Sequence, residues 1–242
     1  LQKSLTRDRR RRILVHSIAN RHHPIDPFGT LKPDVGGLDP AEMGFFATLQ
    51  NILSRREKRL PNKITRICGV DASYIGNRVA AVATEFKGRR MSEKSRYVGY
   101  CTFPYVSGLF YLHEGPAAVE AVRRLRTRPQ LVCFDAHGAA HPRSAGLATV
   151  CGMVLGAPSI GIAKSLLVGT VIGEETPRRI KFRGRTVGFV TDVHGVPKYW
   201  SPGYSVSIRE LESLIRGYGP VCLEAMTESH RDARNEIRSA GE

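Results

Sequence analysis

The sequence has no apolar run near the roughly 20 residues that span a bilayer, so it does not read as an integral membrane protein. It has no secretory hydrophobic segment near its start, and residues 1–37 lack the serine enrichment of an organellar presequence. No segment repeats. Its five cysteines, Cys68, Cys101, Cys133, Cys151 and Cys222, are scattered without a C-x-x-C pair. That spacing argues against a zinc ribbon or a disulfide framework and predicts reduced, buried thiols in a reducing, cytoplasmic setting. Acids are scarce: 22 Asp+Glu face 37 Lys+Arg, a formal charge of +15. Such an excess favours a polyanionic partner, a nucleic acid or an anionic surface.

What is present is otherwise ordinary. A chain of 242 residues, 41% hydrophobic and 24% charged, can bury a core in one large domain or two small ones. Residues 1–37 hold Arg9–Arg12 and a Pro/Gly-rich stretch, and read as a mobile basic extension of the folded body at 38–242. The chain opens on Leu1 rather than Met, as a fragment or a non-native start would.

Hydrophobic spacing predicts a helix over 39–59, capped by Asp39-Pro40. Three strands follow, at 65–74, 78–86 and 96–103, the last two separated by a polar loop at 87–93; their short connections predict an antiparallel meander. Helices at 115–126 and 144–155 then alternate with short apolar strands at 131–134 and 159–162, as in parallel crossovers. A hairpin over 179–190 turns at Arg183-Gly184, and two helices, 207–216 and 224–239, close the chain. The fold class expected is α/β, a mixed sheet flanked by helices.

Three acids occupy informative places. Asp71 ends the apolar run ICGVD, Asp135 ends LVCFD, and Glu114 starts a helix between them. Carboxylates at the ends of neighbouring strands converge on one crevice. They repel each other unless a cation neutralises them, and oxygen ligands suit Mg²⁺ or Mn²⁺. Such ions serve phosphodiester hydrolysis. Taken singly, each acid reads more readily as a cap or a turn former than as a catalytic group. Together, in a basic protein, they point to a metal-dependent nuclease.

The segments Cys68–Tyr74 (CGVDASY), Phe103–Pro116 (FPYVSGLFYLHEGP), Phe134–Arg143 (FDAHGAAHPR) and Ile160–Ser165 (IGIAKS), in this order, resemble the endonuclease V family over about residues 39–240. The resemblance implies an RNase H-like fold and a Mg²⁺ site at Asp71, Glu114 and Asp135, with Mn²⁺ able to substitute. It implies a DNA repair enzyme that recognises deoxyinosine, with inosine in RNA as a further substrate; separately, a monomer is expected. The implied cut is at the second phosphodiester bond 3′ to the lesion, leaving 3′-hydroxyl and 5′-phosphate ends. On the matching positions, Tyr105 of PYVSG would wedge into the duplex as the damaged nucleotide rotates out. Gly108 and Leu109 would border the base pocket, and His141 would shape it. Lys164 would hold the scissile phosphate, and His230 matches a histidine near the active site.

Some positions depart from the family's pattern. Ser107 replaces a proline of the wedge, which predicts a more flexible loop. Ala136 replaces the glycine after the third acid, placing a methyl group toward the pocket. Tyr204 stands where histidine is frequent, and Ala225-Met226-Thr227 differs from the usual Pro-Thr. Two other readings share the acids or the charge: a different RNase H-like nuclease, such as ribonuclease H or a resolvase, and a non-catalytic nucleic-acid-binding module.

Overall fold

The computed structural model describes residues 40–53, 60 and 63–239. The basic extension at 1–37 and the cationic end of the first helix lie outside the described residues. Within them, helix α1 (Pro40–Leu53) leads to β1 (Arg66–Ile75), β2 (Arg78–Lys87) and β3 (Arg90–Tyr100). Then come α2 (Phe110–His113), α3 (Gly115–Arg123), β4 (Leu131–Phe134), α4 (Leu147–Leu155) and β5 (Ser159–Ala163). The chain closes with β6 (Thr170–Ile172), β7 (Arg178–Phe182), β8 (Arg185–Val193), β9 (Val196–Pro202) and α5 (Ile208–Ser239).

The nine strands among the described residues form one mixed sheet in the order β3-β2-β1-β4-β5-β9-β8-β7-β6. The meander β1–β3 is antiparallel, and β4 and β5 add in parallel beside β1. This is the expected mixed α/β architecture. The central strands are apolar throughout because both faces are covered. Val70, Val132 and Phe134 pack against α3 and α4 on one side. Ile67, Leu131, Cys133 and Ile160 pack against α5 on the other. Full burial of a side chain such as Phe134 or Leu131 contributes about 1.5–3 kcal/mol. Gly69 is what lets α5 approach: a Cβ there would stand 2.3 Å from the Ala225 carbonyl carbon.

The structure corrects four expectations. The residues expected in the polar loop 87–93 are mostly strand, since β2 runs to Lys87, a two-residue turn at Gly88-Arg89 follows, and β3 begins at Arg90. β3 is a sheet-edge strand with alternating exposure, so polar residues suit it. Asp71 does not end its strand, because β1 continues four residues to Ile75, paired with β2. The two closing helices are one. Pro220 lies inside α5 and costs on the order of 3 kcal/mol as a helix interior residue. The buried stripe Leu211, Leu214, Ile215, Cys222, Ala225, Met226 continues past it in phase and offsets that cost. Finally, β6, β9 and α2 stand where no element is expected. β9 carries Pro197 and Pro202 near its ends, which mask it as a strand.

At its start, α5 is fixed by a reciprocal cap. The Glu210 N–H donates to Ser207 Oγ at 3.2 Å, and the Ser207 N–H donates to Glu210 Oε2 at 2.6 Å. Among the described residues no helix is long and apolar enough to cross a membrane, and all five cysteines are free, four of them buried.

Candidate active site

β1 and β4 are parallel neighbours in the register Val70↔Phe134. The next residue on each is an aspartate, and the Asp135 N–H donates to the Val70 carbonyl at 3.4 Å. β4 stops there while β1 runs on, so the two carboxylates meet at the end of β4. On the other side of β4, the parallel strand β5 ends at Ala163, and Lys164 follows it. Its ammonium group donates to Asp135 Oδ2. From above, α5 lowers His230 onto the pair, with Nδ1 2.5 Å from Asp71 Oδ2. The other Asp71 oxygen accepts from the Ala72 N–H at 2.9 Å.

Asp71, Asp135 and His230 each offer one ligand atom within 4.8 Å of the others, a group that could hold a metal ion. Glu114 lies between α2 and α3, buried, at the N-cap of α3. Burial, then the charges of Asp71 and Asp135, push its carboxyl up to about 9, against the pull of Lys164. Asp135 is also pushed up, by burial and by Asp71, while Lys164 and His230 pull it down. These shifts mark a centre of clustered negative charge with too few cations of its own. The donor set fits a divalent ion: two carboxylates and an imidazole suit Mn²⁺ readily and Mg²⁺ through the carboxylates. His230, reached by sequence only as a histidine near the active site, stands in the acidic centre itself.

Beside this centre opens a cleft of about 280 Å³, lined by Tyr105, Ser107, Gly108, Asp135, Ala136 and His141 among others. Tyr105 stands at its mouth, 57% exposed. Its ring is braced edge-on by Phe110 at 5.7 Å and His113 at 6.1 Å. The segment after it is an ordered turn rather than a loose loop. The Leu109 N–H donates to the Val106 carbonyl at 2.9 Å, and Gly108 sits at φ +77°, the signature of a type II turn with glycine in its third place. Leu109 does not border the cleft: it is 0% exposed and packs in the core behind it.

His141 is buried, and its pKa is pushed down to about 3 by burial, then by the Arg143 and His137 charges. It is therefore neutral, with Nδ1 accepting from the Arg143 N–H at 3.2 Å. It also bonds the Gly108 backbone. Two residues that sequence reasoning misses hold this wall. Buried Arg143 donates from Nη2 to the Gly108 carbonyl and from Nε to Gln50 Oε1, both at 2.6 Å. Gln50, on α1, in turn donates to the Ala145 carbonyl. Arg143 lies inside the AHPR motif, but only its burial reveals its part. Tyr204 is tied to Ser159 through its backbone, away from the cleft lining.

A family model described as Endonuclease V matches residues 48–218. The chain is similar to the Endonuclease V of Sulfolobus acidocaldarius, 37% identical over 182 residues, covering 73% of this chain and 89% of that protein. It is similar in structure to Endonuclease V from Streptomyces avermitilis, with 25% identity, a TM-score of 0.73 and coverage of 82% and 94% of the two chains. Ciona intestinalis Endonuclease V, solved in complex with a 24mer DNA containing an inosine followed by a ribo-adenosine, shares the fold at 16% identity, a TM-score of 0.69 and coverage of 83% and 99%. The chain belongs to the endonuclease V family, nucleases that hydrolyse phosphodiester bonds.

Proposed function

We propose that this endonuclease nicks DNA at deoxyinosine, the product of adenine deamination, at the second phosphodiester bond 3′ to the lesion, with inosine in RNA as a further substrate. The observation that carries the reading is the placement of the Asp71–Asp135–His230 centre beside a base-sized cleft whose mouth holds an exposed aromatic ring. The inosine-containing DNA bound by the Ciona relative supports the choice of base.

Asp71, Asp135 and His230 hold the divalent ion, Mg²⁺ with Mn²⁺ as a substitute, and Glu114 adds the third carboxylate behind them. When bound, the ion supplies Lewis acidity toward the phosphoryl oxygen. Lys164 keeps two donors beyond the one given to Asp135 and offers them to the scissile phosphate. Tyr105 fills the gap left by the extruded nucleotide. Stacking on an aromatic ring is worth about 1–3 kcal/mol per base, which offsets much of the unstacking cost of a few kcal/mol. The Gly108 N–H has no acceptor among the described residues and suits an acceptor on the purine edge. Ala136 lines the same cleft, so its methyl group narrows the space beside the base.

The test is side-by-side cleavage of a duplex with one deoxyinosine and of RNA with one inosine, with the cut mapped on each. Equal cutting of a control duplex overturns the lesion reading. A cut at another bond overturns the assigned position.

A further inference from the structure

Beyond Lys164 the sheet carries further cations. β5 ends where Ala163 pairs with Tyr199 of β9, so Lys164, the next residue after β5, and Lys198, the residue before Tyr199 on β9, lie just beyond the last pair. β8 pairs Phe189 with Trp200, and β7 pairs Arg179 with Phe189. Residues opposite each other in neighbouring strands share a face, as do residues two apart on one strand. Ile162 faces Trp200, so Lys198 and Arg179 project from the same face of the sheet as Ile162, the face that α5 covers further along, and Lys164 follows β5 at the adjoining end. Arg179 is exposed and Lys198 half-buried.

Among the described residues neither Lys198 nor Arg179 forms an ion pair. The other edge of the sheet differs. There Lys94 is bound to Glu228 at 2.8 Å and Asp232 at 2.6 Å, and Arg96 to Glu236 at 2.7 Å, all on α5. Lys164 is held by Asp135, whereas Lys198 and Arg179 are left to an external anion. From β5 to β7 is three strand spacings, about 14 Å. That equals about four nucleotides of one strand at about 3.4 Å each.

We propose that Lys198 and Arg179 continue from Lys164 as a phosphate track, which carries the flanking nucleic-acid backbone from the cut across the outer strands. This rests on the reading of the cleft as a nucleic-acid nicking site, and it adds an interaction surface of some four nucleotides outside the cleft. The chemistry is backbone positioning, independent of base identity.

The experiment measures binding of the full chain to two long duplexes, one with deoxyinosine and one without, over a series of salt concentrations in EDTA. The proteins are wild type, Lys198→Gln, Arg179→Gln and the double variant. Arg89→Gln is the charge-matched control, in the exposed β2–β3 turn at the opposite end of the sheet. Each phosphate deprived of its protein cation lowers the slope of log K against log salt by about 0.9. The double variant is therefore expected to lose about 1.8 from the slope on both duplexes, with Arg89→Gln unchanged. A wild-type slope in the double variant overturns the track, as does an equal loss in Arg89→Gln. The slope is also read on the plain duplex and so does not depend on the inosine reading, whose failure shows in the separate cleavage assay with divalent ion as equal cutting of both duplexes by wild type.

Discussion

His230 Nδ1 lies 2.5 Å from Asp71 Oδ2, across 159 residues of chain, and ties the last helix to the central strand at the point where the acids meet. The pairing exists because Gly69, two residues before Asp71, lets α5 lie directly on β1. Ser229, the neighbour of His230, donates to the Gly69 carbonyl at 2.9 Å. The acidic centre and the packing of α5 are thus one structural unit.

His230→Ala removes one corner of the centre while leaving both aspartates. Loss of a group that ligates or orients a metal site typically costs about 10–100-fold in metal affinity or activity. Activation curves against Mn²⁺ and Mg²⁺ should shift to higher concentration by that order. An unshifted curve would place His230 outside the centre.

Gly69→Ala would drive a methyl group into the Ala225 backbone. Backbone cannot yield as a flexible side chain does, so a loss of at least about 1–3 kcal/mol is expected. Gly217→Ala on the same helix meets nothing within 4 Å and should instead stabilise by about 0.5–1 kcal/mol. Denaturant midpoints of the two variants should move in opposite directions.

Ser107→Pro falls at the second place of the Val106–Leu109 turn, where proline is favoured before a positive-φ glycine. The Ser107 N–H has no partner among the described residues, so no hydrogen bond is removed. A gain of about 0.4–1 kcal/mol is expected from the restricted unfolded chain. A loss of stability in urea titration would mean the turn is of another type.

Stability should depend on pH through His141. In the fold its pKa is about 3 against an ordinary 6.5, so the folded state refuses a proton that the unfolded chain accepts. The contribution is complete above about pH 6.5 and is lost progressively as pH falls toward 3. His141→Gln keeps a polar side chain without this titration. It should therefore lose less stability than wild type between pH 7 and pH 5, and parallel curves would contradict the assignment.

What is legible in sequence is written in short, local patterns. The apolar runs ending in Asp71 and Asp135 announce buried strands, and their parallel pairing follows from the helix between them. Patterns that depend on partners are not legible. β9 is hidden by two prolines that the ends of the strand tolerate, and α5 reads as divided near Pro220 because the stripe holding it together is visible only against the sheet. His230 can be placed near the acids but not at them, since its position depends on where a 32-residue helix crosses β1. Arg143 and Gln50 carry no signal at all in spacing; a buried guanidinium looks like a surface one until its neighbours are known.

The central claim is tested most directly by cutting a labelled duplex with one deoxyinosine, using wild type, Asp71→Ala and Asp135→Ala in the presence of Mn²⁺ or Mg²⁺. Wild type is expected to make a single nick, 3′ to the lesion, and both variants to lose it while still binding the duplex. Cleavage at the wild-type rate by either variant would contradict the metal-centred mechanism.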